Sequence, residues 1–152
     1  LMIPENLSSE VVGKRFFQDY AEDYLRFWVQ RIDEMGKYSF IHMDGTLKGL
    51  IVEVGDIGFS VMEALTPKPV GDLSLLEIEE RVDKSIIWGG IPGIYFTSQI
   101  KEEEFDRLVI KTLEIMKRQP RFVLGVSDQV PPDGLEKRIR RVGELVVRFG
   151  RY

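Results

Sequence analysis

The chain has 152 residues, 43% of them apolar, 30% charged and 11% aromatic, with a net charge of −4. That balance suits one globular domain with a real core, and it excludes collagen-like or low-complexity architecture and makes non-specific nucleic-acid binding a poor fit. The lack of cysteine excludes disulfides and thiolate metal sites.

No stretch approaches the ~18 consecutive apolar residues needed to span a bilayer, and no basic segment followed by an apolar core marks a leader. A cytoplasmic location is therefore expected. Leu1-Met2-Ile3 running into Pro4 reads as the end of a strand, or else as a trimmed chain start. The next segment, Ser9 to Met35, predicts a long amphipathic helix stopped by Gly36, with Val12, Phe16, Tyr20, Tyr24 and Phe27 as its buried stripe. Tyr38 to His42 is short, aromatic and β-branched, and predicts a strand. Thr46 to Val54 predicts a helix ended by Gly55, and Gly58 to Glu63 a second strand. Ser74-x-x-Glu77 is a capping-box signature opening a helix to about Lys84. Ser85 to Trp88 predicts a strand ending in Gly89-Gly90, followed by a helix whose stripe is Phe105, Leu108, Val109, Thr112, Leu113 and Met116. Phe122 to Val126 predicts the fourth strand, and a last helix opens near Asp133. Strand–helix alternation implies parallel strands joined by crossover helices. No linker divides the chain, so residues 1–152 are expected to form one domain or part of one.

Four segments, in order, resemble the second half of the uroporphyrinogen decarboxylase and cobamide-dependent methyltransferase superfamily. Gly36-Lys37 with Phe40-Ile41-His42-Met43-Asp44-Gly45 is similar to that family's glycine, strand and H-x-C-G segment. GFSVMEALTPKPVGD (58–72), Trp88-Gly89-Gly90-Ile91-Pro92 and FVLGVSDQVPPD (122–133) are similar to its following strands and their exits. The resemblance implies an α/β fold, the carboxy-terminal half of a (β/α)₈ barrel with about four parallel βα units behind a long helix. A full barrel takes ~250 residues, so the resemblance also implies a partner for this half.

In such barrels the active site lies at the carboxy-terminal strand ends. His42 and Asp44 stand at one such end, Glu63 closes the next strand and Asp128 follows the last. One imidazole and three carboxylates could hold a hard or zinc-type cation. In the family's methyltransferases zinc is held by the H-x-C motif and a second cysteine; here Asp44 and Asp128 stand at the cysteine positions and His42 is kept. The resemblance thus implies a divalent metal on His42, Asp44 and Asp128, with Glu63 and Asp128 as catalytic groups. Gly89 and Gly90 could receive a phosphate or carboxylate on their N–H groups, or simply permit close chain approach. His42 also reads as an ordinary hydrogen-bonded histidine, Asp44-Gly45-Thr46 as a turn and helix cap, and Glu63 as a partner for Lys68. Lys137, Arg138, Arg140 and Arg141 read as a solvated helix face.

The function implied is metal-assisted methyl transfer involving a corrinoid carried by a partner protein. Decarboxylation of a porphyrinogen-like substrate is the alternative, weakened because Asp128 stands where the decarboxylases have a histidine and because their arginine-rich motif is absent. A non-catalytic half-barrel acting as an assembly partner is the third reading. A half-barrel should not exist alone, so a homo-oligomer or a separate amino-terminal half is expected; nucleic acid and membrane are not expected as partners.

Overall fold

A computed structural model describes residues 1–150. It shows an α/β fold whose five strands form one parallel sheet in sequential order. The strands are β1 (Met2–Asn6), β2 (Phe40–His42), β3 (Val61–Leu65), β4 (Ile86–Pro92) and β5 (Phe122–Ser127). The helices are α1 (Lys14–Phe16), α2 (Glu22–Glu34), α3 (Ile51–Gly55), α4 (Leu75–Arg81), α5 (Glu102–Met116) and α6 (Glu136–Phe149). Four of the strands fall where the alternating pattern places them; the fifth is the one hinted at by Leu1-Met2-Ile3, and its Met2 and Ile3 lie beside Phe40 and Ile41 of β2.

The period of two along each strand sorts the sheet into two faces. Ile41, Met62 and Ile87 stand side by side in register, fully buried against Leu25, Ile51, Ile78 and Met116 from the helices and Leu50 from the turn before α3. On the opposite face the row Phe40, Val61 and Ile86 is followed by His42, Glu63 and Trp88. This face is less covered: Met2, Trp88 and Val123 remain exposed on it. Trp88 meets Phe40 edge-to-face at 6.2 Å and lies so close over Gly125 that a side chain there would collide with the indole.

The first helical segment corrects the expected stripe. The residues expected to be buried, Phe16, Tyr20, Tyr24 and Phe27, are exposed, and Val12 is only half-buried; Phe17, Leu25, Val29 and Ile32 form the buried stripe instead. Both rows follow helical spacing, intervals of three, four or twice four residues, so periodicity alone cannot choose between them. A π turn over Phe17–Ala21 between α1 and α2 adds to the ambiguity, because it shifts the helical register.

Two shorter elements also depart from expectation. Residues 46–50 form turns rather than helix, and α3 covers only Ile51–Gly55. The backbone amides of Leu47 and Lys48 are bonded to the Asp72 carboxylate at 2.8 and 3.2 Å, which fixes this loop without a helix. The capping box at α4 is present: Ser74 N–H donates to Glu77 at 2.8 Å and Glu77 N–H to Ser74 Oγ at 3.3 Å. No helix among the described residues is long and apolar enough to cross a membrane.

Candidate metal centre

The parallel register of β2 and β3 puts His42 directly beside Glu63 on the less covered face. Neighbouring strands lie ~4.8 Å apart, and the two side chains close that gap with a 2.7 Å bond between His42 Nδ1 and Glu63 Oε2. Both are about four-fifths buried. A carboxylate accepts only, so in the neutral imidazole this bond assigns the ring proton to Nδ1 and the lone pair to Nε2. Nε2 faces Asp44 Oδ2 at 4.0 Å and Asp128 Oδ1 at 3.8 Å. One ligand atom from each of His42, Asp44 and Asp128 lies within 4.8 Å of the others.

Each carboxylate is delivered by a fixed loop. Asp44 precedes Gly45, whose positive φ turns the chain, and Thr46 is tied to the loop after β1: Ser9 Oγ donates to the Thr46 carbonyl at 2.9 Å. Asp128 has a left-handed backbone with φ of 74°, a conformation Asp tolerates better than most residues. Just before it, Ser127 Oγ accepts from Gly90 N–H at 3.0 Å and donates to the Leu65 carbonyl at 2.9 Å, joining the ends of β3 and β5 to the body of β4. Ala64, with φ of 66°, is a bulge where β3 advances two residues against one of β4. Left-handed non-glycine residues cost about 1–3 kcal/mol each and cluster at functional sites; both described here flank this cluster.

All four expected polar residues therefore meet at one end of the sheet. Glu63 bonds to His42, and the expected alternative partner Lys68 pairs with Glu77 at 3.5 Å instead. The Gly90 N–H is occupied by Ser127, and a Cβ on Gly89 would approach the Leu65 carbonyl at 2.8 Å. These are contacts of close chain approach, with the Gly90 amide turned to Ser127 rather than to a ligand.

Arg138 corrects the expectation of a solvated basic face on α6. It is buried, stacks over Phe105 at 5.2 Å and donates to the carbonyls of Tyr95, Thr97 and Ile100. Arg141 pairs with Asp106 at 2.6 Å and Glu144 at 2.7 Å, holding the Asp106 carboxyl below its ordinary range. Sequence reasoning missed Ser127, Asp72 and Arg138, since nothing in their local sequence distinguishes them from surface polar residues.

Beside the cluster lies an open cleft of about 340 Å³, walled by Val70, Ile94, Pro131 and Pro132, with Asp44 and Asp128 at its polar edge. Comparison with family models, curated proteins and solved structures gives no match.

Proposed function

We propose that the chain is half of a (β/α)₈ barrel enzyme that binds a divalent cation through His42, Asp44 and Asp128 and uses it for methyl transfer with a corrinoid-carrying partner. The observation that supports this most is the Glu63–His42 bond of 2.7 Å. Metal-binding histidines ordinarily donate their second ring N–H to a carboxylate, which fixes the tautomer and strengthens the ligand nitrogen. The other face of this imidazole looks at two carboxylates, 3.8 and 4.0 Å away. The edge of a tetrahedral site with 2.0–2.1 Å bonds is about 3.3 Å, so small side-chain adjustments bring the three donors to ligating distance.

One imidazole and two carboxylates fit a zinc-type or harder divalent ion and leave a coordination position for substrate. When bound, such a cation supplies Lewis acidity, lowering the pKa of a coordinated heteroatom. The protein's own contribution is positional. Glu63 orients His42, the Ser127 bonds hold Asp128, and the cleft wall presents a substrate heteroatom to the open position while Asp128, the most exposed of the three ligands, is placed to exchange a proton at its rim.

The cleft's wall argues against a porphyrinogen-like decarboxylase substrate: it carries no Lys or Arg among the described residues to pair with several carboxylates. The proposal also needs a covering half, because Met2, Trp88 and Val123 stand exposed on the face opposite the helices. A second copy or a separate amino-terminal half would cover it, in the cytoplasm. Equilibrium binding of zinc or cobalt(II) to the chain tests the reading directly. One ion per chain is expected, with affinity reduced at least tenfold by His42→Ala, Asp44→Asn or Asp128→Asn. Absence of saturable binding, or binding indifferent to all three substitutions, refutes it.

A further inference from the structure

We infer that the cleft beside His42, Asp44 and Asp128 selects a small, largely apolar ligand with a single uncharged heteroatom donor, such as a thiol, thioether or alcohol, and rejects ligands carrying a second, acidic group. The inference deepens the reading of the cluster as a cation site and rests on it. It comes from what the 340 Å³ cleft can offer a ligand. Val70, Ile94, Pro131 and Pro132 supply apolar wall, and the charged lining groups are Asp44 and Asp128. Those two carboxylates cancel a divalent cation bound between them and a neutral imidazole. No net positive charge then remains to attract an acid beyond the ion.

The remaining polar groups do not make up the difference. A hydroxyl has one proton to donate. Thr66 gives its proton to the Ala64 carbonyl at 2.9 Å, and Ser127 gives its own to the Leu65 carbonyl at 2.9 Å. Both are therefore unable to donate to an anion in the cleft. The Gln129 amide is the one remaining side-chain donor among the described lining residues, and it suits a neutral handle. An acidic tail reaching past the cation would lie against proline, valine and isoleucine, losing hydration for no cationic partner and at most the uncharged Gln129 amide.

The test compares butane-1-thiol with 3-mercaptopropionate, a thiol of similar length that carries a carboxylate. Each is titrated into the cobalt(II)-loaded full chain and followed in the visible cobalt spectrum. The neutral thiol is expected to bind at least tenfold more tightly; equal or tighter binding of the acid overturns the inference. Val70→Lys places an ammonium on the wall at an exposed position, where the fold should tolerate it. It is expected to narrow the difference to less than threefold, and an unchanged ratio would mean that the ligand sits elsewhere, which also overturns the inference. The metal-free chain gives a separate readout, the amide NMR shifts of Thr66, Ile94 and Gln129 during titration with butan-1-ol and butyrate. The alcohol is expected to shift them at lower concentration. A chain that takes up no cobalt would end the cation reading, while these shifts alone would still decide the charge preference: butyrate acting first overturns it.

Discussion

Replacing Glu63 separates its effect on the proposed cation site from its effect on the fold. Glu63 Oε2 stands 2.7 Å from His42 Nδ1, a charge-assisted bond and so roughly twice as strong as a neutral one. Glu63→Gln retains an oxygen that can accept the Nδ1 proton, so the tautomer and ring orientation survive while the charge that raises the basicity of Nε2 is lost. Glu63→Leu removes both. Loss of an outer carboxylate typically lowers metal affinity 10–100-fold, which corresponds to about 1.4–2.7 kcal/mol. Glu63→Gln is expected at the lower end and Glu63→Leu at the upper end. Competition against a chromogenic chelator at neutral pH measures both, with circular dichroism confirming that each variant is folded. A folded Glu63→Leu protein that binds zinc like the parent chain would refute the argument that Glu63 sets the ligand geometry of His42.

Three further outcomes follow from the packing and the charges. Phe17→Ala, at a fully buried position, is expected to cost about 3–5 kcal/mol in urea unfolding, whereas Tyr20→Ala on the exposed row should change stability by less than about 0.5 kcal/mol; the reverse order would restore the stripe expected from sequence. Arg138→Met leaves the carbonyls of Tyr95, Thr97 and Ile100 without their buried donor, and should destabilise by at least about 3 kcal/mol, again read by urea unfolding. The Glu77 carboxyl is held down to about 2, chiefly by the Ser74 backbone N–H and then by the Ser74 side chain. Because its folded pKa lies below the ordinary value of 4.5, its contribution is complete above that value and is lost as pH falls toward 2. Glu77→Gln should therefore flatten the stability profile in that window, measured by thermal unfolding from pH 2 to 6.

The sequence made the strand positions legible because β2 to β5 are brief apolar or aromatic runs bounded by glycine and proline, a pattern that has few other readings. The Ser74–Glu77 cap was legible for a similar reason, since both partners lie within four residues. The face of the first helical segment was not. Phe16 and Phe17, or Tyr24 and Leu25, are adjacent residues on different faces, and only the sheet beneath determines which is buried. Arg138 was hidden for a related reason. Its neighbours Lys137 and Arg140 are solvent-facing ion-pair members, and its own partners are backbone carbonyls about 40 residues away. His42, Asp44 and Asp128 could be named because each stands at a strand end, and Glu63 because it was expected to close a strand. In fact β3 runs on to Leu65, yet Glu63 still lies beside His42, since parallel topology converts separation along the chain into proximity.

A flat sheet would leave Asp128 too far from His42, because β3 and β4 lie between their strands. Three strand spacings amount to about 14 Å, yet Asp128 Oδ1 comes within 3.8 Å of His42 Nε2. Curvature of the sheet, which brings β3 near β5, the reach of the two side chains and the loop beyond β5 together close that gap. Asp128 has a left-handed backbone at the start of that loop, and Ser127 anchors its base to Leu65 and Gly90. On β3 the bulge at Ala64 follows Glu63 immediately, so pairing with β4 changes register just past the residue that orients His42. The Thr66 hydroxyl, bonded to the Ala64 carbonyl, braces that bulge. Two left-handed residues, at a combined cost of some 2–6 kcal/mol, thus stand on β3 and just beyond β5, beside the contact between the Asp128 carboxylate and the imidazole of β2. The three donors therefore meet beside two departures from regular sheet geometry, held by the Ser127 and Thr66 hydroxyls that the surrounding sequence gives no reason to single out.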